Sequence, residues 1–338
     1  MSSQSSYYQP KFLQEIQLGL VVHSGIALAI YTHGICQEFY HAVRGRGIYK
    51  LVKALTDADL VVDTISGSSA GGINGILLSY ALTNSNEHEL VDFNIFASIW
   101  RNSGDLWELI CKPNAFKTQS LESGLHHNNA DLYASICDGD RKIPRPAQEW
   151  FSASRELDLA ISGTNYLGKV DRILTESGIE IGSKNHRTLF LLKHRQGRKE
   201  PFNPHYQDRE LPRSPEDTYQ ALTKLCQITA GTPMIFPLVE VDLQNRQNLV
   251  DRQLVMWGKL EQDRSLDRNN RLYFLDGGLL DNAPFTCLMK SAYYRLPTRS
   301  SQRKLFYVDP NPEQSNDQIS LGKARKGQNL HANFLSTP

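Results

Sequence analysis

Residues 60–82 read LVVDTISGSSAGGINGILLSYAL, and the order of residue types in this stretch decides the fold. Leu60, Val61, Val62, Thr64 and Ile65 form a short run of aliphatic and β-branched residues, the composition of a strand covered on both faces. The small residues Gly67-Ser68-Ser69-Ala70-Gly71 end that run. Beyond them Ile73, Ile76, Leu77 and Tyr80 recur at helical spacing, and Gly71 and Gly75 stand four apart, where another backbone can approach closely. A strand, a tight turn and a helix thus follow one another without a linker.

A serine at such a turn, with glycine two before and two after it, has the sequence form of a nucleophile elbow. The serine must take a strained backbone conformation for the chain to turn this sharply, and side chains at Gly67 and Gly71 would collide across the turn. Ser69 Oγ is then presented at a helix N-terminus, where free N–H groups and the helix dipole favour developing negative charge. A Gly-x-Ser-x-Gly string arises by chance in roughly one chain in ten of this length at average residue usage. The placement between strand and helix therefore carries more weight than the string. Two rival readings are an ordinary turn of small residues and a phosphate-binding loop on the same helix N-terminus. A Walker loop needs Gly-Lys-Ser/Thr, and Gly72-Ile73-Asn74 stands in its place.

Upstream, Ile16, Leu18, Leu20, Val21 and Val22 form a first strand that stops at His23-Ser24-Gly25, and Ile26 to Ala42 carry apolar residues on a helical period. A strand and a helix before the elbow strand make a βαβ unit, which implies a parallel sheet with a right-handed crossover. An α/β-hydrolase places several strands ahead of its elbow, so this order argues against that layout. The loop after the first strand lies at the sheet edge where ligands of such folds sit. The backbone N–H groups of Gly25 and Ile26, with that of Ala70 behind the elbow, are candidate oxyanion donors.

Downstream, residues 84–150 are mixed and mostly helical in pattern and read as an inserted helical cap. Within it the adjacent pair His126-His127 has no accompanying carboxylate motif and reads as solvated loop. Leu157–Leu167 and Arg187–Lys193 read as strands flanking a helical or turn segment. A basic, proline-containing loop spans 195–213, an apolar-striped helix spans Tyr219–Ala230 and ends in Gly231-Thr232-Pro233-Met234-Ile235-Phe236-Pro237, and Val239–Val241 begin another strand. Residues 245–270 read as a charged excursion. Leu272–Asp281 then run LYFLDGGLLD, a strand entering Asp276-Gly277-Gly278, which is either a hairpin turn or a strand-end carboxylate able to take the Ser69 proton. Lys304–Val308 form a last strand. The expected organisation is an N-terminal segment 1–14, a domain over 15–310, and a polar tail 311–338.

Composition narrows the partners. The 37 Lys plus Arg against 36 Asp plus Glu leave a net charge of +1, so no global field recommends nucleic acid. The five cysteines are scattered, with no metal-site spacing, and read as reduced thiols of a cytoplasmic protein. The first residues, MSSQSSYYQPKF, do not form a signal peptide, and no apolar run reaches the ~18 residues a membrane span needs. Any membrane contact is expected to be peripheral, and oligomeric state is not encoded in any pattern found.

Gly67-Ser68-Ser69-Ala70-Gly71, Asp276-Gly277-Gly278 and the segment 231–237 between them together resemble the patatin-like phospholipase family. SGIALAIYTHGI, the stretch 100–109 and LDLAISGTNYLG further resemble a bacterial subgroup of it. The resemblance implies a three-layer α/β/α sandwich of patatin type with a mainly parallel central sheet. It implies a Ser69–Asp276 dyad in place of a triad, and calcium-independent hydrolysis of acyl esters of phospholipids or other lipids through an acyl-enzyme, with no cofactor and no metal. The family's oxyanion loop commonly has three glycines, a variable residue, a basic residue and a glycine. Here Ser24, Gly25, Ile26, Ala27, Leu28 and Ala29 match it, with one glycine and no basic residue. That erosion motivates a second reading, a catalytically weak or silent patatin-fold protein that binds lipid or a protein partner. A third reading, a Ser-His-Asp esterase, would draw on His331, the one histidine after Asp276, which lies in a polar terminus without the rigid support a catalytic base needs.

Overall fold

The computed structural model describes residues 12–23, 25, 28–84, 93, 96–97, 100, 156–195, 202, 215–233, 236–244, 247–260, 270–295 and 300–309. Most of the expected helical cap and of the basic loop, the polar tail and His331 lie outside these residues. So do Ser24, Ile26 and Ala27.

Strand β1 (Gln14–Val22) lies parallel to β2 (Ala58–Gly67), from Gln14 opposite Ala58 to Val22 opposite Gly67. Between them come helix α1 (Ala29–Arg44) and a second short helix, α2 (Ile48–Thr56). Gly45 and Asp57 close these two helices in left-handed conformation, with φ of 62° and 48°. The β1–β2 register shifts between Leu18 and Gly19, which leaves Asp63 as the extra residue of a bulge. Its carboxylate is thereby delivered to Arg303, whose two terminal nitrogens donate to Oδ1 at 2.9 Å and Oδ2 at 2.7 Å, while Arg295 Nη1 donates to the Asp63 carbonyl at 2.7 Å.

Helix α3 (Ser69–Asn84) follows β2 directly, and its residues from Ser69 to Thr83 are buried on every face. A helix apolar all round belongs inside a core rather than on its surface. Here α1 and α4 (Pro215–Ala230) pack on its two sides. Gly75 lets α3 close on β2, since a Cβ there would stand 3.1 Å from Ile65 Cγ2. The opposite face of the sheet is covered by α6 (Phe285–Tyr294), which packs on β1 and β2. Strand alternation shows the two faces: Ile65 meets α3, whereas Ser66 Oγ donates to Pro284 O at 2.7 Å at the start of α6. Sheet and helices on both faces make the three-layer sandwich.

The remaining strands are β3 (Glu156–Leu174), β4 (Glu180–Arg195), β5 (Val239–Asp242), β6 (Arg271–Asp276) and β7 (Ser301–Val308), with α5 (Leu249–Gly258) between β5 and β6. Among the described residues the sheet has seven strands. β7, β1, β2 and β3 are mutually parallel; β4, β6 and β5 join antiparallel. The segment between β3 and β4, read from sequence as helical or turn, is extended: the two strands form a long hairpin that continues to Leu174 and Glu180.

One register relation positions the site. β4 follows β3 along one edge, so β2 and β6 share the other. β2 pairs with Asp158 to Ile161 and ends at Gly67; β6 arrives from the opposite direction, pairs with Asn165 to Gly163, and ends at Asp276. The C-terminal ends of β2 and β6 therefore face each other along a single edge of β3.

Candidate active site

Ser69 and Asp276 occupy the gap between those two strand ends. Ser69 Oγ donates to Asp276 Oδ2 at 2.8 Å, and the two residues are 1% and 6% exposed. Ser69 has φ 51°, a left-handed conformation that costs a non-glycine residue on the order of 1–3 kcal/mol. The glycines around it answer to separate neighbours. A Cβ on Gly67 would lie 2.8 Å from Gly71 O, across the turn, whereas a Cβ on Gly71 would lie 2.4 Å from both Val22 O and His23 O, at the end of β1. Gly71 thus admits the neighbouring strand end rather than relieving the turn itself.

Asp276 is held from three sides. Oδ1 accepts from Gly278 N at 2.7 Å, the Asp276 N–H donates to Gly231 O at 3.0 Å, and its carbonyl accepts from Thr164 Oγ1 at 2.8 Å. Gly277 has no room for a side chain, since a Cβ would meet Ser162 O at 2.2 Å. Asp276-Gly277-Gly278 is therefore no hairpin turn: it leads from β6 into a 3-10 turn, Gly277–Leu279, capped by the aspartate itself. Burial pushes the Asp276 carboxyl up from its ordinary value, and the donors on Gly278, Ser69 and Thr232 pull it back down.

Two threonines complete the site: Thr229 in the last turn of α4, which did not stand out in the sequence, and Thr232 just beyond it, which stood there only as part of the segment 231–237. Thr229 Oγ1 accepts from the Ser69 backbone N–H at 2.9 Å, and Thr232 Oγ1 donates to Asp276 Oδ2 at 3.0 Å. Gly72 makes this approach possible, because a Cβ there would stand 2.8 Å from Thr229 Oγ1. A helix ending in Thr-Ala-Gly-Thr-Pro carries more hydroxyls than a C-terminus needs, and that was the available signal.

Of the candidate oxyanion donors, Gly25 is described and accepts from Leu28 N at 3.1 Å through its carbonyl, Ala70 is buried behind the elbow, and Ile26 lies outside the described residues. His23, at the end of β1, is turned away toward the far layer. Asn282 Nδ2 donates to its Nε2 at 2.9 Å, and its ring meets Tyr307 edge-on. No imidazole lies between Ser69 and Asp276 among the described residues, and no group of three His, Cys, Asp or Glu side chains there is placed to hold a metal. Chemically, the pair is a hydroxyl already hydrogen-bonded to a buried carboxylate beside a helix N-terminus, the parts that nucleophilic acyl transfer requires.

Comparison with known proteins defines the class. The model of the family described as patatin-like phospholipase matches residues 20–289, and the chain belongs to that family. A relative is the uncharacterized membrane protein Rv3479 of Mycobacterium tuberculosis, 24% identical over an alignment of 326 residues that covers 88% of this chain and 28% of that protein. The chain thus spans little more than a quarter of that relative's length. No solved structure matches it. Family membership supports a lipid acyl hydrolase in general terms.

Proposed function

We propose that this protein hydrolyses acyl esters of phospholipids or related lipids with Ser69 as nucleophile and Asp276 as its general base. The observation that carries the reading is the 2.8 Å hydrogen bond from Ser69 Oγ to Asp276 Oδ2. As Ser69 Oγ bonds to the acyl carbon, its proton passes to Oδ2, and the carbonyl oxygen gathers negative charge that N–H groups of Ala70, Gly25 and Ile26 receive. Collapse expels the alcohol with that proton and leaves an acyl-enzyme. Asp276, again ionised, then takes a proton from water as the water oxygen bonds to the acyl carbon; the Oγ–acyl bond breaks, the proton passes from Asp276 to Ser69 Oγ, and the carboxylic acid leaves.

The lipid assignment is supported by the family and by large apolar side chains next to the site: Ile30 and Tyr31 in the first turn of α1, and Leu279 and Leu280 after Asp276, are each more than 40% exposed. Among the described residues no helix is long and apolar enough to cross a membrane, so we propose peripheral contact with the lipid surface. Cys36, Cys226 and Cys287 stand outside any disulfide, which suits the reducing cytoplasm.

The test is turnover of a short-chain acyl ester and of phospholipid vesicles, in the presence of a calcium chelator, by wild type, Ser69→Ala and Asp276→Asn. Both variants are expected to lose at least ~100-fold in kcat. Unchanged turnover in either would remove the dyad, and absence of turnover by wild type on every ester would favour the silent, lipid-binding reading that the eroded loop at 24–29 suggests.

A further inference from the structure

We infer that Thr232 is a positioning residue for the base, acting through the oxygen that receives the Ser69 proton; the inference rests on the Ser69–Asp276 reading above. Oδ2 of Asp276 accepts two hydroxyls, Ser69 Oγ at 2.8 Å and Thr232 Oγ1 at 3.0 Å, while Oδ1 is taken by Gly278 N at 2.7 Å. A carboxylate free to turn about its Cβ–Cγ bond would present either oxygen to the serine. With Oδ1 held by backbone on one side and Oδ2 by Thr232 on the other, the plane is fixed and the remaining lone pair of Oδ2 is directed at Ser69.

Thr232 is itself anchored. Its N–H donates to Ala230 O at 2.7 Å, and the Gly231 carbonyl beside it accepts the Asp276 N–H. Three residues earlier, Thr229 holds the Ser69 N–H. The end of α4 thus grips the nucleophile through Thr229 and the base through Gly231 and Thr232, so the separation of the pair is set by one short segment.

The Thr232 hydroxyl also has a second acceptor, the Ala230 carbonyl at 3.4 Å. When Oδ2 has taken the Ser69 proton it needs one donor fewer. Rotation about χ1 or the C–O bond lets the hydroxyl favour Ala230 O in that state and return to Oδ2 when the carboxylate is restored. Both protonation states of the base are then satisfied without backbone movement.

The groups facing Asp276 are Ser69 from α3, Thr232 from the segment after α4, Gly278 on its own turn and Thr164 from β3; no charged side chain among the described residues acts on it. The pH dependence of the base is therefore set by burial and these donors, and removing one donor has a defined sign.

The experiment compares wild type, Thr232→Val and Thr232→Ser by two readouts. One is the pH dependence of the rate at which Ser69 reacts with a fluorophosphonate. The other is titration of the Asp276 carboxyl carbon by NMR in protein labelled at aspartate, the signal assigned with Asp276→Asn. The expected result is that valine moves both midpoints to higher pH and slows the reaction about tenfold on the acid side, and that serine overlays wild type. A valine variant that titrates as wild type, or a serine variant displaced as far as valine, overturns the inference. Should wild type not react with the probe, the hydrolase reading fails, and the carboxyl titration alone decides the role of Thr232. Should valine not fold, Thr232→Ala takes its place; failure of both to fold beside a normal Thr232→Ser would make Thr232 a folding residue and overturn the inference as well.

Discussion

Asp276 and Ser69 each occupy a state that stability alone would not choose. The serine sits at φ 51° and the carboxylate is buried without a cationic partner. Burying a charge raises the folded-state pKa of Asp276 above its value in the unfolded chain, so the native state binds the proton more tightly. The stabilisation this gives is fully present below the unfolded pKa and is lost as pH rises through the folded one. At neutral pH the ionised group is therefore a net cost to the fold. Asp276→Asn, which cannot ionise and keeps an acceptor for Gly278 N, is predicted to unfold at a higher temperature than wild type at pH 7, with the difference vanishing in acid; thermal unfolding across pH measures it. An equal or lower midpoint at pH 7 would mean that the three donors more than compensate for burial.

Elements bring these residues together in a way that sequence patterns only partly disclose. The elbow was legible because strand, small-residue turn and helix are contiguous, and the βαβ unit before it because its periodicities are strong. The turn of β6 was legible as a strand end and ambiguous as to role, since Asp-Gly serves hairpins equally well. What could not be read was that β2 and β6 meet end to end along β3, because that depends on the pairing of Gly163 with Asp276, more than a hundred positions apart. α5 was missed within a charged stretch although Asn248 caps it through Asp251 N at 3.1 Å and Leu254, Val255 and Trp257 are buried; its polar flanks masked the period. The outer part of the β3–β4 hairpin was missed for the converse reason. Most of it is exposed on both faces, with no core beneath to impose alternation. At this scale the bulge at Asp63 is also structural. Its side chain is 4% exposed and meets Arg303 and Arg295, themselves 20% and 10% exposed. Asp63→Ala would leave two largely buried guanidinium groups short of a partner, with an expected loss of about 3 kcal/mol in urea denaturation. A loss within about 0.5 kcal/mol, typical of surface positions, would show that the bulge is held by packing alone.

Across the whole molecule, the layers explain why so small a site can be rigid. α3 is buried on every face between β2, α1 and α4, so the elbow at its start is fixed by the core itself, while Thr229 of α4 and Thr232 just beyond it hold the pair and α6 closes the opposite face. A near-neutral charge of +1 supplies no global field to draw a charged partner from a distance. The chain belongs to the patatin-like phospholipase family; the chemistry proposed for it turns on one proton moving from one named oxygen to another. The most direct measurement is the intact mass and peptide map of the protein after reaction with a fluorophosphonate at neutral pH. The account predicts a single adduct, on Ser69, that forms in wild type and is absent or strongly slowed in Asp276→Asn. An adduct on another residue, or labelling of Asp276→Asn at the wild-type rate, would contradict it.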